Sequence, residues 1–264
     1  MIDRILGALT ARVDRDELLD VVSAERYRQF VSEDDTPITP PGADAGSVAE
    51  TVGSWASRSA VMMPFGRVLY RVARLHTGSI VEFGTGAGVS AAYLTAGLRR
   101  SGHGGRVVSV EAHVALAERA GVNLRTAGFE DCQVIVGREL EVAPRLLSGL
   151  RPGLIHVDSG HRFDDTAMLV ELIAHHFDQV VVCFDDIRWS EEMSRLWTEV
   201  CDGRFGASQA IDLDLWGVAL IGSSPSRRPA DVVRVAAPKG MRGGTVEEVG
   251  RTPDAPLEWR QAAR

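Results

Sequence analysis

The 264 residues predict a doubly wound α/β domain on a seven-stranded, mostly parallel sheet with an antiparallel C-terminal strand, preceded by an N-terminal helical cap. Three observations carry that prediction. Five short apolar runs alternate with helical stretches, the pattern of strands in a parallel sheet covered on both faces. A glycine-rich turn follows the first of those strands, in "IVEFGTGAGVSAAYL" (80–94). Near the end, "ASQAIDLDLWGVALIG" reads as two strands joined by a tight turn near Asp214, which places an antiparallel strand in the sheet.

Taken in order, Ile2, Ile5, Leu6 and Leu9 recur at helical spacing, and after "DRDE" Leu18, Leu19, Val22 and Tyr27 continue it. The first thirty or so residues are therefore expected to form two amphipathic helices that need a partner surface. Ser32 to Gly46, rich in Pro, Gly and acidic residues, is expected to be a loop. Helical stretches around "SVAETVGSWASRSA" and "FGRVLYRVARL" lead into the strands "SIVEFG", "RVVSVEA", "CQVIVG", "LIHVDS" and "QVVVCFD", with helices starting near Val89, Val114, Leu140 and Asp165. The helix "SEEMSRLWTEV" precedes the hairpin. From Ser223 onward Pro, Gly and Arg dominate with little periodicity, so a loosely ordered tail is expected. The expected organisation is a cap over 1–60, a catalytic domain over 61–222 and a tail over 223–264.

Composition narrows the class. With 45% hydrophobic and 25% charged residues the chain reads as an ordinary globular protein, and a formal charge of -7 argues against a nucleic-acid footprint. Cys132, Cys183 and Cys201 are odd in number, without a CxxC pair, which suggests neither a disulfide framework nor structural zinc. No signal-like or membrane-spanning run is evident, so the expectation is a cytoplasmic protein without membrane or nucleic-acid partners.

In an open parallel sheet, ligands lie outside the carboxyl ends of the strands. Gly84, Gly86 and Gly88 occupy such a turn, where absent Cβ atoms let the backbone turn sharply and approach a ligand. Glu111 closes the next strand, where a carboxylate can accept hydrogen bonds from both hydroxyls of a ribose. A dinucleotide fingerprint from Gly84 would require Gly or Ala at position 89, which is Val89. The form present is E-x-G-x-G-x-G. With the terminal hairpin, it resembles the class I S-adenosylmethionine-dependent methyltransferases over roughly Gly66 to Gly222, and so implies their Rossmann-like fold. The resemblance implies that Glu82, Gly84, Gly86 and Gly88 surround the methionine part of the cofactor and Glu111 its ribose. It also implies that Gly137, Arg138 and Glu139 lie near adenine and that Asp158 borders the cofactor.

Asp158 ends the fourth strand, and Asp185 and Asp186 end the fifth, so three carboxylates are expected to converge on the cofactor side. They repel one another unless a cation intervenes, and hard oxygen ligands suit Mg²⁺, Ca²⁺ or Mn²⁺ better than zinc. The arrangement is similar to that of the metal-dependent O-methyltransferases acting on catechols, sugars and other natural-product hydroxyls. By that resemblance Asp158, Asp185 and Asp186 hold Mg²⁺, and His161 matches the general base of the sugar-modifying branch. Helix capping, the competing role for strand-end aspartates, is expected of Asp164 or Asp165 and of Ser190 instead. His175 and His176, at a helix C-terminus, read as structural. Trp189 suits either a pocket floor or core packing. The family's Pro-Gly-Gly turn before the fifth strand is absent, replaced by "HHFDQ".

The expected function is S-adenosylmethionine- and Mg²⁺-dependent O-methylation of a hydroxyl on a small molecule such as a sugar or secondary metabolite, by a homo-oligomer, expected to be a dimer. The N-terminal helices and the loop from Ser32 are expected to cover the acceptor pocket. Metal-free N- or C-methylation, cyclisation or lyase chemistry is the alternative.

Overall fold

The computed structural model describes residues 1–40, 50–223, 229–236 and 247–251. Its elements run α1 (Ile2–Thr10), α2 (Arg15–Ser32), β1 (Pro37–Ile38), β2 (Glu50–Thr51), α3 (Val52–Ser59), α4 (Met63–Arg74), β3 (Ile80–Phe83), α5 (Val89–Ser101), β4 (Val107–Glu111) and α6 (Val114–Thr126). They continue β5 (Cys132–Val136), α7 (Glu139–Leu150), β6 (Leu154–Val157), α8 (Phe163–His176), β7 (Val180–Phe184), α9 (Glu191–Cys201), β8 (Gln209–Asp212), β9 (Gly217–Ile221), β10 (Asp231–Ala236) and β11 (Glu247–Arg251).

The sheet has the order β11-β10-β8-β9-β7-β6-β3-β4-β5. Strands β5, β4, β3, β6 and β7 are parallel, and β9 runs antiparallel to both β7 and β8. These seven are the predicted sheet, and the hairpin turns where expected, with Asp214 at φ 73°. Two further strands lie within 223–264, the span expected to be loosely ordered: β10 pairs parallel with β8, and β11 antiparallel with β10. The signal was present in the alternation of "DVVRVA", where Val233 and Val235 are buried. The rest of that span, apart from the residues around these strands, lies outside the described residues.

Alternation along each strand divides the core in two. Ile80, Val107, Leu154 and Cys183 join the cluster under α1 to α6, whereas Val81, Phe83, Val110, Ile155 and Phe184 join the one under α7, α8 and α9. Strands β3, β6 and β7 are buried throughout and β4 as far as Glu111, which is why they read as continuous apolar runs, whereas β5 at the sheet's edge is partly exposed.

Both N-terminal helices form as expected, and α1 buries Ile2, Ile5, Leu6 and Leu9. Helix α2 starts at an Asp14 cap, whose side chain accepts from Glu17 N at 2.7 Å. Its buried face differs from the predicted one. Leu18, Leu19 and Val22 are exposed, and Glu17, Val21, Ala24, Tyr27 and Val31 face inward. The cause lies in α4: Glu17 Oε1 accepts from Arg67 Nη2 at 2.9 Å and from Arg71 Nε at 2.8 Å. Arg71 also donates to Ala8 O, Leu9 O and Ala11 O, capping the carbonyl end of α1. A buried carboxylate serving two guanidinium groups fixes which face turns in, at the expense of exposed leucines.

After α2 the chain is tied to α6 through Asp34, whose side chain accepts from Arg119 Nε at 2.6 Å, Asn123 Nδ2 at 2.8 Å and Thr36 N at 3.0 Å. The expected loop from Ser32 thus includes a helix end and β1, which pairs with β2; residues 41–49 lie outside the described residues. Burial pushes the Asp34 carboxyl up, but the hydrogen bonds from Arg119, Thr36 and Asn123 outweigh it and hold it below the ordinary carboxylate range. A depressed folded-state pKa gives stability that is present above the unfolded value of about 3.9 and is lost as pH falls through the folded one. Urea denaturation from about pH 6 to about pH 3 should therefore show a loss of stability smaller in Asp34→Asn than in wild type, by on the order of 1 kcal/mol. Equal pH slopes would contradict this.

Candidate functional site

Strand β3 ends at Phe83 and the chain turns through three glycines of positive φ: Gly84 at 100°, Gly86 at 51° and Gly88 at 85°. Such values are unfavourable for residues with a Cβ, and the neighbours make the constraint tighter. A Cβ on Gly84 would lie 1.9 Å from the carbonyl oxygen of Asp158, so the loop and the end of β6 touch backbone to backbone. Gly88 is the N-cap of α5, whose first amides have no acceptor within the helix and point toward the strand ends.

Glu111 arrives beside this loop as the sequence predicts. Its carboxylate accepts from Gly86 N and His113 N, each at 2.8 Å. Gly137 follows on the next strand, its N–H donating to Glu111 O at 2.9 Å, and Arg138 takes the N-cap position of α7 with an exposed side chain. Glu139, in the first turn of α7, is half-buried, and its Oε1 comes within 3.4 Å of the Cβ position of Gly160.

Glu82 is a correction. It is fully buried on the side of the sheet under α1 to α6, with its carboxylate occupied by Ser109 Oγ and by His156 Nδ1 at 3.0 Å. Ser109 Oγ in turn meets Thr85 Oγ1 at 2.6 Å. Because even and odd strand positions face opposite layers, Glu82 points into the sheet's helical cover and not out of its edge. It braces the glycine loop from beneath through Ser109 and Thr85, and is not a lining residue.

The three aspartates do converge. Asp158 N donates to Phe83 O at 2.8 Å and Asp185 N to Val157 O at 3.0 Å, continuing the ladders of β6 and β7 by one residue each to the same edge. Asp186 N donates to Asp185 Oδ1 at 2.7 Å. His161 Nε2 lies 3.5 Å from Asp158 Oδ1 and 3.4 Å from Asp186 Oδ2. Burial, then the charges of Asp158 and Asp186, push the Asp185 carboxyl far above the ordinary range. Burial also raises Asp186, partly countered by His161. Burial opposes the charged form of His161, yet the carboxylates of Asp158 and then Asp186, which face its Nε2, raise its pKa. Among the described residues no three His, Cys, Asp or Glu side chains form a ready-made metal cage.

His161 and Asp186 both hold positive φ, 46° and 54°, without being glycine. Each such conformation costs about 1–3 kcal/mol and persists where the surroundings dictate it. Around them, the buried Oγ of Ser159, Nε2 of His161 and Oγ1 of Thr166 make no hydrogen bond in the described structure. Ser159 and Thr166 carried no motif that singled them out.

The flanking residues sort as follows. Helix α8 begins at Phe163 with Arg162 as N-cap, so Asp164 and Asp165 are first-turn acids favoured by the helix dipole and not caps. Ser190 caps α9, accepting from Met193 N at 3.1 Å. His175 and His176 fall in the last turn of α8, as read. Trp189 is 73% exposed, which overturns core packing for it. No described helix is long and apolar enough to cross a membrane.

Residues 81–187 match a family model described as a methyltransferase domain. No curated protein matches the sequence. Among solved structures, cofactor-bound Rv0187 from MTB is 20% identical, with 86% of this chain and 96% of that one covered at a TM-score of 0.52. The O-methyltransferase TomG from Streptomyces achromogenes, involved in tomaymycin synthesis and solved with SAM, is 21% identical, with 84% and 96% covered and a TM-score of 0.52. SAH-bound Podospora anserina methyltransferase PaMTH1 is 15% identical, with 84% and 94% covered and a TM-score of 0.50. At these identities the likeness establishes the fold.

Proposed function

We propose that this chain is a class I S-adenosylmethionine-dependent methyltransferase, a reading supported by the match of residues 81–187 to a methyltransferase-domain model, and that it methylates a hydroxyl oxygen of a small molecule with the help of a divalent cation. One observation carries the reading: His161 and the carboxylates of Asp158, Asp185 and Asp186 meet at the edge of the sheet that also presents the glycine loop and Glu111.

The glycine loop and the first amides of α5 receive the methionine part of the cofactor, and Glu111 accepts from its ribose hydroxyls. Gly137, Arg138 and Glu139 border the adenine. Transfer needs little covalent help, because the sulfonium is already activated; alignment and proton removal are what the protein supplies. The acceptor oxygen attacks the methyl carbon, the carbon–sulfur bond breaks with its electron pair passing to sulfur, and S-adenosylhomocysteine is left. The hydroxyl proton passes to Nε2 of neutral His161, where Asp158 and Asp186 stabilise the imidazolium that results.

The donor set fits a hard cation in chemistry: three clustered carboxylates, one of them, Asp185, driven toward its protonated form by burial and then by the charges of the other two. Asp158, Asp185 and Asp186 would hold Mg²⁺, after side-chain adjustment, and the bound ion would acidify the hydroxyl.

Calorimetric titration of chelator-treated protein with Mg²⁺, at saturating S-adenosylhomocysteine, is the test. Stoichiometric binding in wild type that disappears in Asp158→Asn is expected. Absence of Mg²⁺ binding with full methyl transfer in chelator would remove the metal and leave His161 as the sole charge partner of the aspartates. Mass analysis of products checks the reaction itself, because methylthioadenosine in place of S-adenosylhomocysteine would mean lyase chemistry.

A further inference from the structure

The glycine loop is gripped from outside the sheet. Tyr27, on α2, is fully buried, and its Oη–H donates to Ala87 O at 2.7 Å. Burial raises the phenol's pKa, so it remains a donor. The same peptide unit is held at its other end, where Gly88 N–H donates to Thr85 O at 2.8 Å. Bonded at both its oxygen and its nitrogen, the Ala87–Gly88 peptide has a fixed plane, and that plane opens α5. Its orientation sets the direction of the helix amides that follow.

Two further contacts come from the same side. A Cβ on Gly88 would stand 2.8 Å from Tyr27 Oη, so α2 approaches as closely as it does only because this position is glycine. Trp55 of α3 lies across Gly86, with Cη2 and Cζ3 at 2.8 and 3.0 Å from that residue's Cβ position. Residues 86, 87 and 88 are thus each touched by the N-terminal helices. Helices α1 and α2 pack on α4 and α5, on one face of the sheet, and α3 packs on α2.

We propose that Tyr27 is a positioning residue for the cofactor: by fixing the Ala87–Gly88 peptide it links docking of the N-terminal helices to binding of S-adenosylmethionine. The inference rests on the reading of this loop as the cofactor site. Linkage is reciprocal, so whatever the helices contribute to cofactor affinity, the cofactor returns to the docking of the helices. A buried tyrosine hydroxyl needs some acceptor in any fold. Here the acceptor is a carbonyl of the glycine loop itself.

The test uses the full-length protein and S-adenosylhomocysteine as probe. Tyr27→Phe removes one hydroxyl and should fold. It is expected to weaken S-adenosylhomocysteine binding about three- to tenfold, as loss of one buried hydrogen bond predicts, and to raise KM for S-adenosylmethionine by the same factor. Its kcat and its KM for the acceptor should remain those of wild type. Val31→Ala hollows the packing of the same helix at a fully buried position one turn beyond Tyr27; it should lower Tm and leave affinity unchanged. Tyr27→Phe that loses Tm but binds as tightly as wild type would overturn the proposal, as would equal loss of affinity in both variants. Wild type that does not bind S-adenosylhomocysteine would instead bring down the cofactor reading on which this rests.

Discussion

Gly84→Ala is expected to abolish cofactor binding and to cost the fold upward of about 4 kcal/mol, the range reserved for substitutions that break a specific structural constraint. Two constraints coincide at this residue. Its φ of 100° is strained for any L side chain, and a Cβ would sit 1.9 Å from Asp158 O and 2.5 Å from Asp158 C. The obstacle is backbone, so no rotamer change relieves it. Neither side can retreat cheaply: Gly84 N is bonded to Val110 O on β4, and Asp158 N to Phe83 O on β3. Moving the loop away would also pull Gly86 from Glu111 and carry Asp158 out of the carboxylate cluster. Gly102 supplies the control. It too has positive φ, 69°, but nothing lies within 4 Å of its Cβ position. Gly102→Ala should therefore cost only the left-handed penalty of about 1–2 kcal/mol. Urea denaturation and S-adenosylhomocysteine calorimetry on both variants separate steric contact from backbone strain. Similar losses in the two would mean that the close approach of loop to β6 is not what makes position 84 glycine.

How much of this was legible in the sequence follows from how local each determinant is. The strands, the glycine turn, the hairpin at Asp214 and the Ser190 cap depend on neighbours within a few residues, and the text shows them directly. The convergence of Asp158 with Asp185 and Asp186 was legible too, because parallel strands that are adjacent in a sheet end on one edge. What failed was decided at long range. Leu18, Leu19 and Val22 look like the buried face of α2 until Arg67 and Arg71, about 50 residues on, claim Glu17 and turn the helix over. Glu82 looks like a cofactor ligand until the pleat of β3 aims it at His156 and Ser109. The alternation of β10 was masked by its Pro-, Gly- and Arg-rich flanks, and β11 pairs at a sheet edge that offers unpaired groups and can recruit a short strand with little pattern of its own. Ser159 and Thr166 stand out only once the atoms around them are known to leave them unpartnered.

His161→Asn should lower kcat by roughly 10²–10⁴-fold, the usual yield of a positioned general base, while leaving S-adenosylhomocysteine affinity and Tm near those of wild type. Asparagine is the informative replacement because residue 161 holds φ 46°, a conformation that Asn tolerates better than most residues and that alanine would strain. The substitution removes a titratable nitrogen without removing the turn that carries it. Stability should be spared, since Nε2 contributes no formed hydrogen bond to the fold and only faces Asp158 and Asp186 at 3.5 and 3.4 Å. Loss of imidazole leaves those two carboxylates less well compensated, which raises their demand for a cation. The variant therefore distinguishes two roles for one side chain. If kcat falls and added Mg²⁺ does not restore it, the imidazole takes the acceptor's proton. If Mg²⁺ restores kcat in full, His161 serves as a counter-charge to the aspartates, and the proton leaves by another route.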